Sequence, residues 1–114
     1  MVTSLPLLRV RFFRLRSGRE PVREWLKSLA ADERKTIGDG LRTVQYGWPL
    51  GMPLVRHLGS GLWESHSQLP GKTARVLFVV SGGVAVLLHG FVKKTRGTPP
   101  RDLRLARERQ SELK

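Results

Sequence analysis

Residues 62–93 constrain the fold more than any other part of the chain. They divide into three runs of strand-like sequence, 62–69, 73–80 and 84–93, separated by Pro70-Gly71-Lys72 and by Ser81-Gly82-Gly83. Adjacent glycines between β-branched runs are a tight-hairpin signal, since primed two-residue turns need positive φ. The sequence therefore predicts an antiparallel meander. Alternation assigns its faces: Leu62, Glu64, His66 and Gln68 share one side of the first strand. In the second, Arg75, Leu77 and Val79 oppose Ala74, Val76, Phe78 and Val80. The third strand ends in Lys93, Lys94 and Arg96, so clustered cations stand on a rigid support, which suits phosphate chemistry.

Ahead of the meander, residues 7–15 read as a half-buried strand, with Leu8, Val10 and Phe12 on one face and Arg9 and Arg11 on the other. Pro21 suits a first helical turn, and Val22, Trp25, Leu26 and Leu29 predict a helix of about three turns. Asp32 is placed to cap a second helix with Ile37, Leu41 and Val44 as its apolar stripe. Within it Gly38 and Gly40 each cost about 1 kcal/mol relative to Ala. Residues 48–61 read as a Gly/Pro-rich loop with at most one short strand near 54–58. Thr98 is expected to cap a last helix, whose narrow stripe of Leu103, Ala106, Gln110 and Leu113 implies shallow docking. The sum is a single α+β domain over residues 1–114. It has an antiparallel sheet of about four to five strands, a two-helix hairpin on one face, a C-terminal helix, and the other face open.

Charge narrows the function. There are 21 Lys and Arg against 9 Asp and Glu, a formal net charge of +12, and the sequence pI is about 11.6. An Arg-rich basic domain points to nucleic acid, or to an acidic protein partner. Cysteine is absent, which removes disulfide and thiolate chemistry. Neither a signal peptide nor a membrane-length apolar run is apparent, so a cytoplasmic protein without a membrane partner is expected. His57, His66 and His89 lack metal-ligand spacing and no phosphate-binding loop is present, so neither a metal nor another cofactor is expected. What remains is a site of Arg, Lys, His and Glu. RNA carries its own nucleophile, the 2′-hydroxyl, so such a site needs only a base, an acid and cations for the developing charge. His66 and Lys93 or Lys94 are candidates for the proton transfers, and Arg75 for the transition-state clamp. His89, inside an apolar strand, reads as a hydrogen-bonded core histidine. Glu64 suits pairing with a cross-strand Arg, and Trp48 and Trp63 suit packing before base stacking.

The segments GLWESH, ARVLFVV and VAVLLHGFVKKTRGTPPRDLRLARER together resemble the RelE/ParE toxin superfamily, specifically its HigB-like branch, which includes phage-derived members. The resemblance spans roughly residues 20–110 and is most specific at Gly90–Thr95. It implies a RelE-like fold and a toxin of a type II toxin–antitoxin system. Such a toxin is a ribosome-dependent mRNA endonuclease (mRNA interferase) that inhibits translation and is silenced by a cognate antitoxin, often one with a helix-turn-helix DNA-binding domain, in a hetero-oligomeric complex. On that resemblance Arg75 matches the phosphate-contacting arginine and Lys93 and Lys94 the lysine pair. Catalysis falls to Arg75, His66 and Lys93, and RNA binding to Lys94, Arg56, Arg96 and Glu64. The sequence departs from the family where Glu-Leu-Arg becomes Glu64-Ser65-His66, so an ordinarily permanent cation is replaced by a titratable one. The alternatives on the same scaffold are a non-enzymatic inhibitor of DNA gyrase and a catalytically decayed binding module.

Overall fold

In the computed structural model, which describes residues 6–94 and 97–113, a five-stranded sheet carries helices on both faces. In chain order the elements are β1 (Arg9–Phe12), α1 (Pro21–Ser28), α2 (Ala31–Gly47), β2 (Val55–Gly59), β3 (Leu62–Leu69), β4 (Lys72–Ser81), β5 (Val84–Lys93) and α3 (Pro100–Ser111). The spatial order is β1-β5-β4-β3-β2. The meander forms as its turns predict, with Ser81 paired to Val84 across the two glycines. The α+β layout with a helical hairpin and a C-terminal helix stands as expected.

One face of the sheet packs against α1 and α2. Val22, Ile37, Leu41 and Val44 from the helices meet Ala74, Val76, Phe78, Ala85 and Leu87 from the strands. Two glycines allow this close approach. A Cβ on Gly90 would lie 2.3 Å from the Trp25 ring, so the ring rests directly on the β5 backbone. A Cβ on Gly40 would lie 2.6 Å from the Ser67 hydroxyl, so this glycine seats α2 on β3 and is more than a weak point in the helix. Trp48 packs edge-on to Trp63, ring centroids 4.9 Å apart, on this same face.

Four expectations need correction. The sheet is mixed, because β1 runs parallel to β5. Alternation states which side of a strand is buried, whereas its direction is set by hydrogen bonds to a strand far along the chain. Helix α1 has two turns, not three: Leu29 turns to extended backbone, and the Arg34 guanidinium reaches the carbonyls of Leu26, Lys27 and Leu29 at 3.4–3.5 Å. Neither Asp32 nor Thr98 caps a helix; Ala30 and Pro99 hold those positions without a side-chain cap. Asp32 and Glu33 lie in the first turn of α2, where the helix dipole favours negative charge.

The fourth correction concerns the second face of the sheet, which is not open along its length. Helix α3 lies across it, with Ala106 fully buried among Leu62, Leu77, Val79, Val86 and Leu88, and Leu103 and Leu113 beside them. The helix is further pinned by polar contacts. Arg107 donates to the carbonyls of Gly59 (3.0 Å) and Leu58 (2.9 Å), and Gln110 donates to that of Ser60 (2.7 Å). What stays accessible is the end of the face beyond the start of α3, where β3 and β4 carry His66, Gln68, Thr73 and Arg75. None of the described helices is long and apolar enough to cross a membrane.

Candidate functional site

The site follows from register. His66 on β3 lies directly opposite Arg75 on β4, and Arg75 opposite Phe91 on β5. Directly opposed residues project from the same face, so His66 and Arg75 are neighbours, with Glu64 one pleat further in. Glu64 has no exposed surface, and three groups converge on it. His66 Nε2 lies 2.7 Å from Oε1, Arg75 Nη1 donates to Oε1 at 3.3 Å, and the Thr98 hydroxyl donates to Oε2 at 2.7 Å. Burial pushes the Glu64 carboxyl upward, but the hydrogen bonds from His66 and Thr98 and the charge of Arg75 outweigh it and hold the group below the usual carboxylate range.

An ionised carboxylate only accepts, so His66 carries its proton on Nε2 and its Nδ1 is an acceptor when the ring is neutral. Nδ1 has no partner among the described residues, and the imidazole keeps 15 % of its side-chain surface. Arg75 is 94 % buried and donates Nη1 to the Gly97 carbonyl at 3.0 Å as well as to Glu64, while its Nε is buried without a hydrogen-bond partner. A buried donor left unmade costs about 1–3 kcal/mol. His66 and Arg75 also line a cleft of about 280 Å³ together with Gln68 and Thr73, and Met52, Pro53 and Leu54 form its lip.

The other sequence candidates fall around this centre. Lys93 donates to the same Gly97 carbonyl as Arg75, at 2.5 Å, which draws the end of β5 to the cluster. Lys94 follows β5 and is exposed. Arg56, on the edge strand β2, is exposed and paired in register with Glu64, so it borders the cluster on the sheet's margin. Arg96 lies outside the described residues. Glu64 is the candidate that changes role: a fully buried carboxylate cannot touch RNA, and its contacts make it the residue that positions His66 and Arg75. The pairing with a cross-strand arginine is met.

His89 is hydrogen-bonded as expected, 2.7 Å from Asp102 in the first turn of α3, but partly rather than fully buried, on the same face as Glu64 and across Leu77 from it. Three contributors escaped the sequence: Thr98, whose hydroxyl was assigned to a cap; the Gly97 carbonyl; and the Met52–Leu54 lip, hidden in a stretch that reads as loop. The one available signal was the Pro99-Pro100 pair, which removes two of the first-turn N–H groups from the reach of a Thr98 cap. A larger groove of about 680 Å³, lined by Arg11, Val86 and Leu113 among others, lies at the far end of α3 and shares no residue with the cluster.

Chemically the cluster is a histidine oriented by a buried carboxylate, beside a largely buried guanidinium that keeps N–H groups uncommitted among the described residues, both lining one cleft. That is an acid/base group next to an anion ligand. No curated protein matches the sequence. The family described as phage-derived protein Gp49-like matches residues 24–111, which include α2, the whole meander, all the described site residues and α3. The chain therefore belongs to the phage-derived Gp49-like family.

Proposed function

We propose that this protein is the toxin of a type II toxin–antitoxin pair, an endonuclease that cuts mRNA on the ribosome and is neutralised by a cognate antitoxin. The observation that carries the proposal is the convergence of His66 and Arg75 on buried Glu64 beside a cleft that both of them line. The family match and the resemblance to HigB-like toxins support it.

In this reading His66 Nδ1 takes the proton from a 2′-hydroxyl as its oxygen forms a bond to the adjacent phosphorus. The Arg75 guanidinium, which lines the cleft, donates from its uncommitted Nη2 N–H groups to a non-bridging oxygen as charge builds there. Lys93, as an ammonium, gives a proton to the departing 5′-oxygen while the phosphorus–O5′ bond breaks. The products are a 2′,3′-cyclic phosphate and a 5′-hydroxyl; one proton is gained by His66 and one lost by Lys93, and solvent exchange restores both. Positioned acid/base groups give about 10²- to 10⁴-fold, and one aligned donor to the developing charge about 3–4 kcal/mol. Lys94 and Arg56 hold the flanking phosphates. A ribosomal target places the action in the cytoplasm, and the antitoxin, with a helix-turn-helix domain, covers the basic surface in a hetero-oligomer.

The test is incorporation of labelled amino acids and of labelled thymidine shortly after induction without an antitoxin. Wild type, Arg75→Ala and His66→Gln are compared; the latter leaves the buried ion pair in place. Loss of amino-acid incorporation with thymidine spared, abolished in both variants, is expected. Early loss of thymidine incorporation would place the target at gyrase and remove the nuclease, and no effect on either would leave a binding module.

A further inference from the structure

We infer that the cleft beside Arg75 is a subsite for a single nucleobase flanking the cleaved phosphate, and that it selects bases with an exocyclic amine over uracil. The inference rests on the ribonuclease reading for its substrate class and adds to it a place where base identity is read.

The cleft has two chemically distinct walls. One is the lip of Met52, Pro53 and Leu54. Met52 is 63 % and Leu54 45 % exposed, two of four large hydrophobic side chains standing in solvent among the described residues. A thioether, a pyrrolidine ring and an isobutyl group lining one cleft offer apolar surface against which an unstacked base can pack. The cleft's volume of about 280 Å³ sits at the lower end of ligand sites, roughly 300–1,000 Å³, and suits one base and no more.

The polar part of the lining is the Gln68–Thr73 pair, directly opposed across β3 and β4. Gln68 Nε2 donates to the carbonyls of Leu69 and Lys72, each at 3.0 Å. Carbonyls only accept, so this fixes which end of the amide is nitrogen and uses both its protons. Gln68 Oε1 then accepts from the Thr73 hydroxyl at 3.3 Å, which uses that proton too. What this wall has left to give a ligand is two acceptors side by side, Gln68 Oε1 and Thr73 Oγ1. Adenine and cytosine meet them with an amine, and guanine with its amine and adjacent N–H. Uracil has one N–H set between two carbonyl oxygens, whose lone pairs would face the acceptors.

The floor ties the base to the chemistry. Arg75, with its unpartnered buried Nε, and His66 line the same cleft. A base between the lip and the Gln68–Thr73 wall therefore has its phosphate beside the guanidinium.

The experiment is direct binding, read on the methyl NMR signals of Met52 and Leu54 while the full chain is titrated with the 3′-monophosphates of adenosine, cytidine, guanosine and uridine. The first three are expected to shift both methyls and to saturate at concentrations roughly fivefold below uridine, the effect of about one neutral hydrogen bond. Thr73→Val, which keeps shape and removes one acceptor, narrows that gap. Met52→Ala, at an exposed position, weakens all four alike. Methyls that no nucleotide shifts, uridine binding as tightly as the others, or an unchanged gap in Thr73→Val would overturn the subsite, whether or not the protein arrests translation. Selective binding by a protein that spares translation would keep the subsite and remove the nuclease.

Discussion

Glu64 shows how one buried side chain can organise a site it never exposes. Its carboxylate holds the histidine tautomer through Oε1 and the approach to α3 through Thr98 on Oε2, while Arg75 supplies the compensating charge. Removing the charge leaves Arg75 buried beside a neutral amide, so Glu64→Gln is expected to cost about 3 kcal/mol near neutral pH. The sign with pH follows from the depressed pKa. Below the ordinary carboxylate value of 4.5 the unfolded chain takes up this proton before the folded one does, so the stability from ionised Glu64 is present above that value and is lost as pH falls through the folded pKa. Urea titrations at about pH 7 and about pH 3.5 should show the gap between wild type and Glu64→Gln closing at the acid end. A gap of constant size would contradict the assignment.

At the level of elements, the fit of α3 to the sheet depends on an irregularity in β5. Pairing with β4 steps from Leu77–His89 to Phe78–Leu87, which leaves Leu88 bulged out of the ladder. Arg109 on α3 fills the gap, donating Nη1 to the Leu88 carbonyl at 2.7 Å. Burial moves this guanidinium's pKa down, opposed by Glu108 and Glu112. Arg109 is thus a clamp between helix and sheet. Arg109→Ala is expected to lower stability by about 1.5–3 kcal/mol, the range for a hydrogen bond from a charged group, read as a lower urea midpoint with an unchanged slope. Arg109→Lys should recover only part of it, and full stability in Arg109→Ala would show that the bulge needs no partner.

For the whole molecule, the net charge of +12 sets how it meets a polyanion. If Arg75, Lys93, Lys94 and Arg56 each neutralise one phosphate of single-stranded RNA, raising salt from about 50 to about 200 mM should weaken binding roughly 50-fold; a flat dependence would remove phosphate contact as its basis. Charge and pattern were readable because they are properties of composition and of near neighbours. Gly82-Gly83 specified the hairpin, alternation assigned Ala74, Val76 and Phe78 to one face and Leu77 and Val79 to the other, and His89 in its apolar strand was legible as a hydrogen-bonded group. The site was legible in membership but not in arrangement. His66, Arg75 and Lys93 could be named from the chain, yet that His66 faces Arg75 depends on pairing between strands, and that Lys93 and Arg75 share the Gly97 carbonyl depends on where the chain turns after β5. Glu64 looked available until burial showed it to be the support, and α3 looked loosely docked until Ala106 was found sealed beneath it. The sequence alone determined which side chains share a face of each element and how positive the chain is, because a two- or 3.6-residue period encodes the first locally and composition the second. Only the tertiary structure decided strand direction, register and the partners of Glu64, because those rest on hydrogen bonds and packing between residues far apart in the chain.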